Sequence, residues 1–485
     1  MNGLCDHIRS SSDDEKKAIF GTEETETKIG VKLKQVRMSE KLSEVTTHPL
    51  SMVAEKDLQE EYSPPPLSHD WVGRVSHSGM RLFTLFMYLC TPILLVELPL
   101  FLYYALKKAP VPPESKDPIK LRVYHAVSLL VFRLGKIFEK LGICSQITFV
   151  RFVLNVSPAG NKSNLSIWDT KFEQVPVTIY QPNSPSTQPR KGLIYLHGGC
   201  GIFGSKRGYE RVCRHLARKS DSVVVYVEYR LAPEHRHPAQ LLDCLTAATY
   251  FLKNSKDYGV DPNCIILAGE SSGGALVAAI CRELVKSSTT PKIRAQILIY
   301  PFLQIMDLSL PSHQQNHCGP GLTRMRAMKL GLLYIKGESQ DVNIFINNAH
   351  VPEVMKTKYK KWISADCVPE EFKVRGYKPP LPVPFSKELY KQARLNDESM
   401  LSPILDEDAV IQQLPQTYLL TCEYDLIRDD GLLYKKRLEE NNVALTWKHI
   451  KEGFHGFLMF IEAGPLEFSC SKTACEDIVQ FIKGL

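Results

Sequence analysis

The sequence predicts an α/β fold in which a mostly parallel, doubly wound sheet is covered by helices on both faces. From Lys171 onward, short apolar segments alternate with helical segments, which is the order expected for a parallel sheet with crossover helices. The apolar segments contain few polar residues, as is typical of strands that are covered on both faces. Residues with reactive side chains follow several of these segments, at the sheet edge where parallel sheets bind their ligands.

Six segments rich in Val, Ile, Leu and Tyr are predicted to be strands. They are Gly192–Gly199, Ser222–Arg230, Cys264–Ala268, Ala295–Pro301, Thr417–Asp425 and Ala444–Ile450. Helices are predicted between most of them, at Glu210–Lys219, Gln240–Asn254 and Asp430–Glu440. Between Pro301 and Thr417 the strand pattern lapses over a length that is too great for a connecting loop. We therefore expect one domain over residues 171–485, with a helical lid insertion at about 303–400.

The N-terminal region has a different composition. Residues 1–79 combine many charged side chains with Ser and Thr and show no sustained apolar period, so they are predicted to be a disordered extension. Residues 80–108 are predicted to be a transmembrane signal-anchor, because the apolar stretch 82–106 is long enough to cross a lipid bilayer. Glu97 argues against this prediction, since an acidic residue at the centre of a membrane helix costs about 2.5–3.5 kcal/mol.

Residues 109–170 are predicted to be a linker with amphipathic or cap helices. The segment Tyr124–Leu141 has its apolar residues broadly on one side, so it either packs on the following domain or lies at a membrane surface. Three sequons in this region are candidate glycosylation sites: Asn155, Asn161 and Asn164. They favour a single-pass type II protein with a lumenal body. Lys107 and Lys108 argue against that orientation, because positive charges prefer the cytoplasmic side.

The composition excludes several classes of function. The net charge is +7, and no basic run alternates with aromatic residues, so no nucleic-acid partner is expected. The 13 cysteines include no C-x-x-C pair, which argues against a zinc module or a thioredoxin-type site. The tract Glu234–His237 (EHRH) resembles a metal-binding tract but has no partners at ligand spacing. No metal or other cofactor is expected.

The segment Leu267–Ala279 (LAGESSGGALVAA) joins a predicted strand to a predicted helix through a sharp turn. Gly269 and Gly273 flank Ser271, and glycine gives a tight turn the room that it needs. Ser271 would then stand over a helix N-terminus, which stabilises a developing negative charge, and Ser272 would offer its backbone N–H. The pattern marks Ser271 as a candidate nucleophile, although an ordinary strand–helix turn also collects small residues.

Acyl transfer needs a nucleophile, a base that takes its proton, and an acid that orients the base. Asp425, Asp429 and Asp430 follow the fifth predicted strand. His455 lies in a glycine-flanked turn after the sixth. The acids could instead form the first turn of a helix, and a lone His in such a turn is more often a structural residue. The chain order Ser, Asp, His is nevertheless that of the α/β-hydrolases, and the joint occurrence favours a catalytic triad.

Five short segments carry a family resemblance: HGG, EYRLAPEHRHPA, GESSGG, DLIRDDG and GFHGF. Together they resemble the arylacetamide deacetylases of the hormone-sensitive-lipase group of α/β-hydrolases. The segments IFEKLGICS, RAQILIYPFLQ and PSHQQN resemble the arylacetamide deacetylase-like 4 branch. The resemblance runs from about Met80 to the C-terminus. It implies an α/β-hydrolase fold and a membrane-anchored serine esterase or amide hydrolase of the endoplasmic reticulum, with a lumenal catalytic domain and lipophilic substrates.

The resemblance also assigns roles to residues of this sequence. It implies that Ser271 is the nucleophile, His455 the general base and Asp425 the acid that orients it. The oxyanion hole would be formed by the backbone N–H groups of four residues: Gly198, Gly199, Cys200 and Ser272.

Several positions depart from the family pattern. Cys200 stands where the family usually has a third glycine, so a side chain would crowd the oxyanion hole. Glu270 replaces the usual Asp before the nucleophile, and Ser272 replaces the usual Ala after it. The resemblance would pair Cys422 with a cysteine of the oxyanion loop, where Ile202 stands here, and a Cys200–Cys422 pair is left open. The alternative function is a catalytically weak or inactive ligand-binding protein on the same fold.

Overall fold

The computed structural model describes residues 99–156, 164–287, 292–337, 342–393 and 401–485. The predicted disordered extension at 1–79 and most of the predicted membrane anchor at 80–108 lie outside these ranges. Residues 99–108, at the end of that predicted anchor, are helical. Within the described ranges, no helix combines the length and the apolar character needed to cross a bilayer.

Eight strands of the described chain form one sheet. They are β1 (Leu165–Phe172), β2 (Val175–Pro182), β3 (Arg190–Leu196), β4 (Val223–Val227), β5 (Val260–Glu270), β6 (Ala295–Ile299), β7 (Gln416–Tyr424) and β8 (Leu445–Phe454). Their order across the sheet is β1-β2-β4-β3-β5-β6-β7-β8. β2 is antiparallel to β1 and to β4, and all other neighbours are parallel. The predicted mostly parallel sheet is confirmed, and the carboxyl ends of β3 and of β5 to β8 share one edge.

The α-helices follow the strands in the predicted alternation. They are α1 (Pro118–Lys140), α2 (Gln146–Asn155), α3 (Lys206–Ser220), α4 (Ala239–Asn254), α5 (Ser272–Lys286), α6 (Pro311–Gln315), α7 (Arg324–Lys336), α8 (Val342–Ile346), α9 (Glu353–Tyr359), α10 (Lys387–Ala393), α11 (Asp408–Ile411), α12 (Arg428–Glu440) and α13 (Ser469–Gly484). Three of them begin at a side-chain cap: Ser145, Ser205 and Thr323 accept a hydrogen bond from a backbone N–H of the first turn of α2, α3 and α7.

The sheet has an apolar core on each face, because side chains alternate along its strands. In β5, Ile265 and Leu267 point into one core, while Ile266 and Ala268 point into the other. The first core is closed by α4, α5 and α12, and the second by α3 and α13. The doubly wound arrangement therefore holds the carboxyl edge of the sheet rigidly from both sides.

All six predicted strands are present, but the hairpin formed by β1 and β2 was not predicted. β1 buries only the side chains at its two ends, so it contains no apolar run. β2 carries Pro176 and Pro182 near its ends, and because prolines usually indicate turns, this segment was not predicted to be a strand. The helix predicted to start at Tyr124 begins instead at Pro118, because proline is well accommodated in the first turn of a helix.

Between β6 and β7 the described residues form helices and loops, without a strand. The helices α6 to α11 lie in this stretch and continue the first core through Met328 and Phe345. This lid region contributes side chains to a cavity above the carboxyl edge of the sheet.

Two of the three predicted glycosylation sites fall within the described ranges. Asn155 ends α2, and Asn164 directly precedes β1. Both are exposed. The hydroxyl of Ser205 donates a hydrogen bond to the amide oxygen of Asn155. Asn161 lies outside the described residues.

Candidate active site

Ser271 occupies the turn between β5 and α5 in a strained backbone conformation, with φ 54° and ψ −122°. Its backbone N–H donates to the carbonyl of Ile299 at 2.9 Å, and its carbonyl accepts from the N–H of Phe302 at 3.1 Å. These two bonds tie the turn to the end of β6. The neighbouring strand thereby holds the hydroxyl of Ser271 at the sheet edge.

The glycines on either side of Ser271 are required by close backbone contacts. A Cβ atom at Gly269 would lie 2.4 Å from the carbonyl oxygen of Gly273, and one at Gly273 would lie 2.1 Å from that of Leu196. Real Cβ atoms do not approach other atoms so closely. The G-x-S-x-G spacing therefore has a steric cause: the turn folds back against its own helix and against β3.

The side chains of Ser271, His455 and Asp425 lie in one hydrogen-bonded line. The distance from His455 Nε2 to Ser271 Oγ is 2.9 Å, and that from His455 Nδ1 to Asp425 Oδ2 is 2.8 Å. Asp425 is fully buried, and its other carboxylate oxygen accepts from the N–H of Ile427 at 2.9 Å. Because a carboxylate only accepts, His455 donates from Nδ1, and the Ser271 hydroxyl donates to Nε2.

The electrostatic surroundings make His455 more basic than an ordinary histidine. Burial alone lowers the pKa of His455, but the charge of Asp425, the hydrogen bond to it, and the charge of Glu270 all raise it. The net effect is a pKa above the usual value. A more basic imidazole is better suited to accept the proton of a hydroxyl group.

The other two acids of the DLIRDDG segment do not contact His455. Asp430 accepts from the N–H of Leu303 at 3.0 Å and from the side-chain amide of Gln304 at 2.8 Å. Asp429 accepts from the N–H of Ser312 at 2.6 Å. Both bind the start of α12 to the chain that follows β6. Burial raises the pKa of Asp430 to about 7.

The loop after β3 passes directly beside Ser271. A Cβ atom at Gly198 would lie 3.1 Å from the Cβ of Ser271. Within the described chain, the backbone N–H groups of Gly199, Cys200 and Ser272 donate to no backbone carbonyl. These three groups are therefore available to bind an oxyanion near the serine.

Cys200 has a left-handed backbone, with φ 59°, and its side chain lines the same cavity as Ser271. Burial raises the pKa of its thiol to about 12, so the thiol is neutral. Cys200 and Cys422 are both free thiols, so the structure contains no disulfide between them.

A second buried carboxylate, that of Glu270, lies behind Ser271. Its two oxygens accept from the hydroxyls of Tyr209 and Tyr300, each at 2.6 Å. The ring of Tyr300 lies 5.2 Å from that of His455. Burial raises the pKa of Glu270, and the two tyrosine hydrogen bonds oppose this. In the sequence, Glu270 stands out only as a departure from the family pattern. The tyrosines come from α3 and from the end of β6, so no local pattern indicates them.

A cavity opens above Ser271. Its walls are mainly apolar side chains of the lid region: Phe302, Ile305, Leu308, Leu322, Met328 and Leu332. Such a lining favours an apolar ligand group next to the serine hydroxyl.

The described residues offer no cluster of metal-ligating side chains. No group of three or more His, Cys, Asp and Glu side chains there is arranged to hold a metal ion. Glu234, in the EHRH tract, instead pairs with Arg151 at 2.8 Å.

The fold matches known hydrolases. A family model described as "alpha/beta hydrolase fold" matches residues 193–357 and 383–459. Carboxyl esterase 2 of Tuber melanosporum has a TM-score of 0.50 and 22% identity, over 68% of this chain and 90% of that chain. The thermophilic carboxylesterase EstE1, from a metagenomic library, has a TM-score of 0.51 and 23% identity, over 70% and 95%. At these identities the likeness shows the fold, and the protein is an α/β-hydrolase.

Sequence relatives narrow the class to a family. Human arylacetamide deacetylase-like 4 is 41% identical over 401 residues, covering 81% of this chain and 98% of that protein. Human arylacetamide deacetylase-like 3 is 40% identical, over 77% and 92%. Arylacetamide deacetylase of Rattus norvegicus is 34% identical, over 76% and 94%. The chain belongs to the arylacetamide deacetylase family, as the sequence motifs indicated, and is a carboxylic ester hydrolase.

Proposed function

We propose that the protein is a membrane-anchored serine hydrolase that cleaves esters or amides of lipophilic substrates through an acyl-enzyme. The observation that carries the proposal is the hydrogen-bonded line from Asp425 through His455 to Ser271 at the base of an apolar cavity. Membership of the arylacetamide deacetylase family supports the same conclusion.

In the first step, the Ser271 hydroxyl attacks the substrate carbonyl while His455 Nε2 takes its proton. Asp425 keeps His455 in the tautomer with a proton on Nδ1 and stabilises the imidazolium that forms. The tetrahedral oxyanion would be bound by backbone N–H groups of Gly198, Gly199, Cys200 and Ser272. Removing one such donor typically costs about 2.7–4 kcal/mol of transition-state stabilisation.

The tetrahedral intermediate then collapses. His455 returns its proton to the leaving alcohol or amine, and the acyl group stays on Ser271 as an ester. A water molecule gives a proton to His455 and attacks this ester. His455 then gives the proton to Ser271 Oγ as the bond from this oxygen to the acyl carbon breaks, which releases the carboxylic acid and restores the serine hydroxyl.

The apolar cavity supports lipophilic acyl groups as substrates. The apolar stretch 82–106 supports a single membrane anchor. Exposure of the sequon residues Asn155 and Asn164 is consistent with a lumenal catalytic domain in the endoplasmic reticulum. In this arrangement, lipophilic substrates reach the lid laterally from the membrane.

Labelling with a fluorescent fluorophosphonate tests the proposed chemistry, because the probe forms a covalent bond only with an activated serine. The full-length protein should label, and Ser271→Ala should not. Ser272→Ala is the matched control and should keep its label. Labelling that persists in Ser271→Ala contradicts the assignment, and a folded protein that never labels would favour the ligand-binding alternative.

The proposed orientation has its own test. Endoglycosidase treatment of the protein from eukaryotic cells should increase its electrophoretic mobility, and Asn155→Gln together with Asn164→Gln should reduce that shift. If the untreated and treated proteins migrate alike, the catalytic domain does not enter the lumen at these sites.

A further inference from the structure

The described residues from 99 to 156 expose an unusual share of apolar surface. Of the twenty large hydrophobic side chains that are exposed in the described chain, twelve lie between Leu100 and Val156, although this segment is a small part of it. Soluble surfaces normally expose such residues singly, and a concentration of them marks an interaction surface.

The clearest part of this surface is a stripe along the outside of α1. It consists of Ile119, Val123, Val127, Leu130, Leu134, Ile137 and Leu141, which we call the outer stripe. With 3.6 residues per turn, these positions fall within an arc of about 80°. Ile119 is 76% exposed, Val127 48% and Leu141 57%. The stripe therefore runs the full length of the helix and is open over most of it.

The opposite face of α1 already has its packing partners in the catalytic domain. Leu121 and His125 on that face are buried. The ring of Tyr124 lies 5.7 Å from that of Phe454. Of the two positions expected for this helix, packing on the domain is observed. The outer stripe is thus not required to hold α1 in place.

The charge of the same segment is strongly positive. Residues 99–156 contain nine Lys and Arg but only three Asp and Glu, an excess of six, while the whole chain has a net charge of +7. Arg133, Lys136 and Lys140 are exposed near the C-terminal half of the stripe. An apolar stripe flanked by basic side chains complements a lipid surface, because the basic groups can reach the headgroup phosphates. It does not complement a second copy of itself, because the positive charges would face each other.

The segment that precedes α1 in the sequence also points to lipid as the partner. Helical residues 99–108 precede α1 and expose Leu100, Tyr103 and Tyr104. The sequence before them, from residue 82, is almost entirely apolar. The outer stripe is therefore continuous with the part of the chain that has the greatest affinity for lipid.

We propose that the outer stripe lies in the headgroup region of a bilayer, with α1 parallel to the membrane plane, as a lipid contact separate from any spanning anchor. A helix of this kind inserts its apolar face by about 5–10 Å. The inner face of α1 reaches the oxyanion loop and the lid through Phe132, whose ring lies 6.1 Å from Phe203 and 3.8 Å from the guanidinium of Arg326. With α1 docked in this way, α1 would be the layer between the lipid and the wall of the cavity.

Lipid quenching in nanodiscs tests this placement without relying on enzyme activity. The full-length protein would carry a fluorescent noncanonical amino acid at Val127, in phosphatidylcholine discs containing a lipid spin-labelled near its headgroup. The matched control carries the probe at Val374, which is 78% exposed in the lid region. We expect quenching several-fold stronger at 127 than at 374, and stronger still when phosphatidylserine is added.

A second variant separates docking from simple proximity. Ile119→Gln with Val123→Gln changes two exposed side chains, so folding should be retained, and it should reduce the quenching of the probe at 127. Equal quenching at 127 and 374 would overturn the proposal. Energy transfer between probes at position 127 of two protein copies would also overturn the proposal if it did not depend on the lipid. Such a result would mean that a second copy covers the stripe. Neither result bears on fluorophosphonate labelling, so failure here is distinct from failure of the proposed hydrolase chemistry.

Discussion

The cavity has a floor and a roof of opposite character. The cavity reaches Ser271, and Glu270, Asp425 and His455 support this serine at the carboxyl edge of the sheet; we call these four side chains the floor. Each of them has a hydrogen-bond partner. The roof is the apolar lining supplied by the lid region. Even a buried polar group of the roof is incompletely paired. His350 donates from Nε2 to the carbonyl of Ile305, and its Nδ1 has no hydrogen-bond partner among the residues that the structure describes.

Because of this difference, we expect the floor to determine the chemical step and the roof to determine substrate selectivity. The floor is fixed by strand ends and by bonds between neighbouring strands, so its atoms keep their positions when a ligand changes. The roof is held by apolar contacts between short helices, which tolerate changes of shape more readily. We therefore expect floor substitutions to change rate and pH dependence, and roof substitutions to change which substrates fit.

The largest expected effect is that of Asp425→Asn in the floor. The amide would hold His455 in the wrong tautomer, and loss of this interaction typically lowers kcat by about 10⁴-fold. The measurement is kcat for a p-nitrophenyl ester, corrected for the fraction of folded enzyme. Asp430→Asn is the control, because this buried acid does not contact His455 and should cost stability more than kcat. A kcat for Asp425→Asn that remains near the wild-type value would remove Asp425 from the proposed triad.

Glu270→Gln should produce the next largest effect, and one that has a direction in pH. The charge of Glu270 raises the pKa of His455, so its removal lowers that pKa. His455 acts as a base only when it is neutral, and the acidic limb of kcat/KM should therefore move to lower pH. The rate at the plateau should fall as well, because the weaker base accepts the proton less readily.

Tyr209→Phe provides the comparison for this prediction, because it removes one hydrogen bond to Glu270 but leaves the carboxyl group and its hydrogen bond from Tyr300 in place. It should lower the free energy of unfolding by about 1–3 kcal/mol, since a buried carboxylate loses a donor. Its pH profile should stay close to that of the wild type. Identical acidic limbs for Glu270→Gln and wild type would reduce Glu270 to a structural role.

The two regions also differ in how well the sequence predicts them. The turn that carries Ser271 is predictable from local sequence, because a short apolar run, two glycines and a helix determine its shape. The convergence of Asp425 and His455 follows from their places after parallel strands. The bonds from Tyr209 and Tyr300 to Glu270 join residues that are distant in sequence, and no periodicity reveals them. The roof has no pattern beyond its apolar composition, and only packing decides which of its side chains face the cavity.

In the roof, Gly331→Leu should discriminate between substrates. Gly331 lines the cavity, and a Cβ atom built on it meets nothing within 4 Å, so the larger side chain would occupy cavity space. We expect kcat/KM for a long-chain ester to fall by about tenfold while that for an acetyl ester changes little. Gly331→Ala is the control and should stabilise α7 by about 1 kcal/mol. Equal losses for both esters would mean that the acyl chain does not occupy this side of the cavity.

The smallest effect is expected for Cys200→Gly, at the boundary between floor and roof. Cys200 holds a φ of 59°, which glycine adopts without strain, so relief of this strain should offset the greater flexibility of the unfolded chain. If the Cys200 side chain crowds the oxyanion hole, Cys200→Gly should raise kcat by a few-fold, and more for bulky acyl groups than for acetyl. Cys200→Val should lower kcat, because a β-branched residue adds bulk and strain at the same position. A series in which Gly, Cys and Val give the same kcat would show that the side chain at 200 points away from the reacting carbonyl, so that only its backbone N–H belongs to the floor.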